Sequence, residues 1–356
     1  MQLEVYNTNF VRIAIADDYE SLIWNDRYNG YGDFELYFGM RQELLNIYKV
    51  DYYLISDDSD YVMIIENIRT LTSIEEGNHL IVTGRSLEAI LYRRIVWKQT
   101  ILSGNVQNAI KRLLNENVIS PSISQRAISN FIFKTSTDSA VTSLTTDEIQ
   151  FTGDTVYDAI QKICEEYDLG FRVTLNSSFK FVFELYNGVD RSYAQSSRPY
   201  VVFSPTFENL INSDYYVAKE LYCNVTLVAG EGEGNARTTV VVGSSSSSGL
   251  NRRELYTDAR DLSSNVEGGT LTPAQYQANL RARGNEKLKE VQILKAFEGQ
   301  VESTQLYRYG EHFFMGDITE LENEYGLETR VRVVGYIHSE SQSSIEEYPT
   351  FKVLDE

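Results

Sequence analysis

The chain has 356 residues, 42% of them apolar and 23% charged, which is enough to bury a sizeable core, too long for a single one, and excludes a disordered protein. Its 51 acidic against 32 basic residues give a formal net charge of −19, a field that keeps the protein soluble and repels phosphate backbones and anionic membranes. Two cysteines without metal-ligand spacing argue against a disulfide framework or structural zinc.

The opening MQLEVYNTNF lacks the basic and apolar regions of an export signal, and no apolar run is long enough for a membrane helix, so folding in a cytoplasm is expected. The first hundred residues alternate with period two. FVRIAIA puts Val11, Ile13 and Ile15 on one face, and FELYF does the same with Phe34, Leu36 and Phe38. YYLIS, the acidic DDSD (Asp57 to Asp60) and YVMIIENI read as strand, turn and strand. Two helices are predicted next: RSLEAILYRRIV, with Leu87, Ile90, Leu91 and Ile95 on one stripe behind Ser86 as cap, and NVQNAIKRLL, with Val106, Ile110, Leu113 and Leu114. A third covers GDTVYDAIQKICEEYDL, capped by Asp154 or Thr155, with Val156, Ile160, Ile163 and Tyr167 on one face and Gly170 ending it. FRVTL and FKFVFEL around NSS then form a hairpin, which makes the middle third a small α+β unit.

From Glu220 strands return as ELYCNVTLVA and RTTVVVG, followed by the loop SSSSSG. A long helix starts at TPAQ, where Thr272, Pro273 and Gln275 spell a capping box; it is predicted to run through EKLKEVQILKAF with a weak point at Gly284. FFMGDITEL and ETRVRVVGYI are strand-like, with turns at GD and NEYG and a β-bulge at Gly335.

The stretch most like a catalytic motif is VAGEGEGNAR, with Gly230, Gly232 and Gly234 at every second position. A dinucleotide cradle needs G-x-G-x-x-G leading into a helix, whereas strand-forming ARTTVVV follows here and Glu231 and Glu233 would crowd a phosphate. A hairpin tip, whose glycines supply positive φ, is the expected structure. His79, His312 and His338 all lie in strand-like stretches, Cys164 lies on a buried helix face, and no nucleophile elbow appears. DDSD lacks the glycine and distal glutamate of a calcium loop. Paired carboxylates for a glycosidase could be found anywhere among 51 acids, so they point nowhere. The 25 tyrosines favour an assembly or binding protein.

The ordered set GDFELYF, GRSLEAILYRRIV, GDTVYDAIQKICEEYDLGFRV, YCNVTLVAGEGEGNAR, FFMGDITEL and RVRVVGY resembles the siphophage tail-tip hub proteins, the family related to the baseplate hub of contractile-tailed phages. The resemblance covers nearly the whole chain. It implies a β-rich α+β fold with two tail-tube-like β-barrel domains: residues 1–104 as the first barrel, 105–199 as an inserted α+β domain, 200–245 with 297–356 as the second barrel, and 246–296 as an inserted loop and helix. It further implies a homotrimer, six barrels in a ring, at the distal tail tip of a virion. Its expected partners are the distal tail protein, the tape measure protein, a tail fibre or spike, and DNA only in transit. Gly230, Glu231, Gly232, Glu233, Gly234 and Arg237 become a hairpin facing the channel or a neighbouring subunit. The resemblance carries no catalytic residues, cofactor or metal. With the chain ending at TFKVLDE soon after its last strands, no lytic activity is expected. A glycan-binding tail-tip adhesin and a peptidoglycan glycosidase are the alternatives; the first predicts saturable binding to cell-wall polysaccharide, the second clearing of a cell-wall gel that one Asp or Glu substitution abolishes.

Overall fold

The structure, a computed structural model, describes residues 1–75, 77–266, 269–301 and 306–354. Seven strands come first: β1 Leu3–Tyr6, β2 Arg12–Ala16, β3 Ser21–Arg27, β4 Asp33–Gly39, β5 Tyr53–Ser56, β6 Met63–Ser73 and β7 Gly77–Ser86. Alternate residues point inward as the period-two pattern predicts, so that Val5, Trp24, Leu36, Phe38, Leu80 and Val82 share one core with Leu44 of the short helix α1 Leu44–Ile47. β5 and β6 pair antiparallel around DDSD, as expected. The face shared by Val11, Ile13 and Ile15 is exposed.

Residues 87–187 carry β8 Thr100–Asn105, α2 Val106–Leu114, β9 Phe131–Lys134, α3 Ser139–Thr142, β10 Thr145–Phe151, α4 Val156–Glu166, β11 Gly170–Leu175 and β12 Phe181–Tyr186. β11 and β12 form the predicted hairpin, and β9 joins β12 in parallel. Thr155 caps α4, accepting the Asp158 N–H at 3.0 Å. Two expectations are corrected here. Leu87–Arg93 is a 3₁₀ helix without a side-chain cap, because Leu87, Glu88, Ala89, Ile90 and Leu91 are buried in succession and not on one stripe. Asp168, at φ 50°, turns the chain after α4; Gly170 instead opens β11, where a Cβ would lie 2.4 Å from the Tyr28 ring. This layer shares its core with the first sheet through Val62, Ile64 and Leu87.

Then follow β13 Val202–Phe203, β14 Leu210–Ala218, β15 Val225–Ala229, β16 Thr239–Gly243, β17 Glu254–Asp258, β18 Asn265–Val266, β19 Gly269–Thr270, α5 Pro273–Glu290, β20 Leu294–Val301, β21 Ile318–Glu322, β22 Glu328–Ser341 and β23 Ile345–Val353. The last three do not build a second barrel. β22 pairs with β3 from Gly335↔Arg27 to Ser341↔Ser21 and with β21 from Arg332 to Glu328, so both ends of the chain enter one eleven-stranded sheet, ordered β13-β21-β22-β3-β4-β7-β6-β5-β1-β2, with β23 on β22. Among the described residues that sheet is open and none of the smaller sheets closes, which corrects the expectation of two tail-tube-like barrels; the fold is α+β and β-rich. Alternation specifies which face a strand buries, whereas closure depends on which distant strand it pairs with. The bulge predicted at Gly335 is present as a register slip between β22 and β23, with Thr350 Oγ1 2.3 Å from where a Cβ would stand.

The chain folds into two compact units, Met1–Ser213 with Gly299–Glu356, and Asp214–Glu298. In the second, the sheet β16-β15-β17 packs on α5 through Val228, Val240, Val242, Tyr276, Leu280 and Leu288. The capping box of Thr272 and Gln275 is formed, with Pro273 in the first turn. α5 stops at Glu290, short of the predicted Phe297, because the following residues enter β20; Lys287 and Lys289 in its last turn suit the negative end of the helix dipole. Gly284 is no weak point. A Cβ there would lie 2.7 Å from Val228 and 2.8 Å from Val242, so the glycine lets the helix lie close on the sheet.

Candidate functional site

The glycine stretch is the tip joining antiparallel β15 and β16. Gly232 and Gly234 take positive φ, 101° and 52°, as the hairpin reading requires. Gly230 is needed for a different reason: a Cβ there would lie 2.4 Å from the Tyr276 hydroxyl. That hydroxyl accepts the Glu231 N–H at 2.7 Å and donates to the Leu262 carbonyl at 3.1 Å. The Glu231 carboxylate accepts the Ser264 hydroxyl at 2.6 Å, the Ser264 N–H at 3.0 Å and the Ser263 hydroxyl at 2.9 Å, which hold its carboxyl below the ordinary range. Arg237 donates to the carbonyls of Gly230 and Ala229, to the Tyr256 hydroxyl and to Asp258. Glu233 is left exposed at the tip. After one 3₁₀ turn, Gly234–Ala236, β16 begins, so the loop presents carboxylates at a stiffened tip.

The histidines are engaged structurally. His79 stacks on Tyr37 at 4.7 Å, and His312 Nδ1 accepts the Arg308 N–H. His338 is buried between Glu347 at 2.6 Å and Glu340 at 3.1 Å; burial opposes its charge, but these bonds raise its pKa. Cys164 is fully buried on α4, and burial pushes its thiol up. Among the described residues no group of three acids, histidines or cysteines could hold a metal. DDSD is only partly a solvated turn: Asp60 pairs with Arg172 at 2.8 Å and the Ser59 hydroxyl reaches Asp26 at 2.9 Å, on one wall of a cleft of about 540 Å³.

What the residue count could not reveal is where the tyrosines go. Several form a buried polar seam between the large sheet and the layer of residues 87–187. Tyr61 donates to the Arg27 carbonyl at 2.7 Å and lies 3.2 Å from the Tyr186 hydroxyl. The Tyr157 hydroxyl accepts the Tyr31 N–H at 3.0 Å, and Tyr92 stacks on Tyr157 at 4.3 Å. The Tyr28 hydroxyl lies 2.8 Å from the Asp168 carbonyl and 3.1 Å from Asn187 Oδ1. Desolvation pushes the phenols of Tyr28, Tyr61, Tyr157 and Tyr186 above their ordinary range. Two buried acids, Asp26 and Glu88, accompany them. The one sequence signal for Glu88 is its position as a lone acid inside SLEAIL.

The arrangement is one of internal clamps. The family described as Siphovirus ReqiPepy6 Gp37-like protein matches residues 2–348. Among curated proteins none matches. Among solved structures, the chain is similar to the tail protein from Neisseria meningitidis MC58, with 14% identity, a TM-score of 0.58, and coverage of 99% of this chain and 96% of that one. The prophage MuSo2 43 kDa tail protein from Shewanella oneidensis gives 9%, 0.59, 99% and 98%, and the prophage tail protein gp18 from Listeria monocytogenes EGD-e gives 10%, 0.55, 99% and 94%. At these identities the shared property is the fold. With a family match that spans nearly its whole length, the chain belongs to the Siphovirus ReqiPepy6 Gp37-like protein family.

Proposed function

We propose that three copies of this chain form the baseplate hub at the distal tip of the tail, closing the tail tube and opening for DNA. In this reading the hub contacts the distal tail protein, anchors the end of the tape measure protein and carries a fibre or spike. The observation that carries it is that the likeness to tail proteins runs over 99% of the chain, so the whole chain, not one module of it, has tail architecture. The net charge of −19 suits a wall past which DNA must slide without sticking. Some of the tyrosines that motivate glycan binding, Tyr61, Tyr157 and Tyr186 among them, are occupied inside the seam.

Native mass spectrometry over a range of concentrations, with and without the distal tail protein, tests the assembly. The expected species has three times the 40.7 kDa of the chain. A strict monomer under both conditions would overturn the hub and make cell-wall polysaccharide binding the next assay. The hairpin of residues 230–237 is assigned in the same reading to the channel or to a neighbouring copy. Glu233→Gln, which leaves the Glu231 clamp intact, is expected to slow genome ejection from particles carrying it; an unchanged ejection rate would remove Glu233 from the channel wall.

A further inference from the structure

Glu88 is fully buried, and no cation is within ion-pairing distance of it among the described residues. At the turn where β7 leads into the layer of residues 87–187, its carboxyl ties the end of β7 to β11. On the side of the large sheet, the Ser86 hydroxyl donates to Glu88 Oε2 while Ser86 Oγ accepts the Gly32 N–H at 2.7 Å. On the other side, Glu88 Oε1 accepts the Val173 N–H of β11 at 2.6 Å. The groups that face it are Asp26 at the end of β3, Tyr61 beyond the DDSD turn, Tyr157 of α4, Arg172 of β11 and Tyr186 of β12. Arg172 would be the natural counter-ion, but its guanidinium is taken by Glu184 at 2.6 Å and Asp60 at 2.8 Å. Asp26, by contrast, is bonded to Trp24 of its own strand and to Ser59 of the DDSD turn, and not to the layer of residues 87–187.

We propose that a proton on Glu88 latches the layer of residues 87–187 to the large sheet, and that losing this proton loosens the joint. A carboxyl in this position holds its proton because ionising it would leave a buried charge that only partly feels Arg172, and a charge on Asp26 would repel it. Burial raises the Glu88 carboxyl from 4.5 to about 7, against the opposing hydrogen bonds from Ser86 and Val173. In the opened state the group is hydrated and titrates in the ordinary range. The closed state therefore binds more protons between pH about 4.5 and 7. Latching is full below that window, weakens as pH rises through it and stays weak above.

Hydrogen exchange of the full chain, corrected for intrinsic rates, reads this directly in peptides covering β11, with peptides covering β4 as reference. From pH 5 to pH 8 the protection of β11 is expected to fall at least roughly tenfold relative to β4. Glu88→Gln, which keeps the shape and an acceptor oxygen but cannot ionise, should hold β11 protection high and independent of pH. Equal protection at both pH values in the wild type would overturn the latch. So would an unchanged slope in Glu88→Gln, or a slope removed by Asp26→Asn and kept by Glu88→Gln, which would assign it to Asp26. If Glu88→Gln fails to fold, infrared spectroscopy of Asp26→Asn decides: a protonated-carboxyl carbonyl band at pH 6 that vanishes by pH 8 is expected, and its absence at pH 6 overturns the proposal.

Discussion

Valine in place of Gly316 is expected to lower the stability of the first unit by roughly 3–6 kcal/mol, a loss of about 10 °C or more in Tm. Two effects add. Gly316 sits at φ 89°, where a β-branched residue is strained, and its Cβ would stand 2.4 Å from the ring of Tyr28 and 3.1 Å from the Gly188 nitrogen. Tyr28 cannot retreat. It is 1% exposed, collared on another side by Gly170, where a Cβ would also come within 2.4 Å, and it lies under the buried Arg332 guanidinium. A thermal melt of Gly316→Val beside Tyr28→Phe checks the argument. The phenylalanine variant keeps the ring and loses only the bonds at Asp168 and Asn187, so its drop should be several times smaller, about 1 kcal/mol. A Gly316→Val protein that melts with the wild type would mean that Tyr28 is not the pin joining the layers.

The second large effect has the opposite sign to the usual one. Glycine to alanine inside a helix normally stabilises by about 1 kcal/mol. Gly284→Ala is expected to destabilise the second unit by roughly 1–3 kcal/mol, because the new methyl meets γ-methyls of Val228 and Val242 at 2.7 and 2.8 Å, and β-branched side chains cannot swing aside. Its neighbour Asn285 is exposed on the same helix, and Asn285→Ala should follow propensity and stabilise by a few tenths of a kcal/mol. Denaturant unfolding followed on the second unit separates the two. A stabilising Gly284→Ala would show that α5 does not lie as close to β15 and β16 as the packing indicates.

These two glycines mark how far the residues could be read in advance. Local chemistry was legible. The capping box at Thr272, the cap at Thr155, the DDSD and NSS turns and the positive-φ glycines of the hairpin each follow from a few adjacent residues. The position of Gly284 was visible too, but without its valine neighbours it read as a helix defect. What stayed hidden depends on distant partners. Nothing near Glu231 announces that Ser263 and Ser264 will clamp it, and nothing in ETRVRVVGYI announces that it will pair with SLIWNDR instead of closing a barrel of its own. Likewise Ser86 reads as a helix cap until Glu88 is seen to claim its hydroxyl.

The pairing of β22 with β3 sets a clock on biogenesis. Roughly three hundred residues separate the partners, so on the ribosome the edge of β3 waits for its neighbour, at ordinary elongation rates, for about 15 seconds to a minute. For that interval the nascent chain carries an unpaired strand edge beside finished hairpins, the state in which polypeptides are most prone to stick to one another. The late arrival of β22 therefore makes soluble yield in the host depend on translation speed and chaperone supply, and makes this strand the step that commits a new copy to its final form.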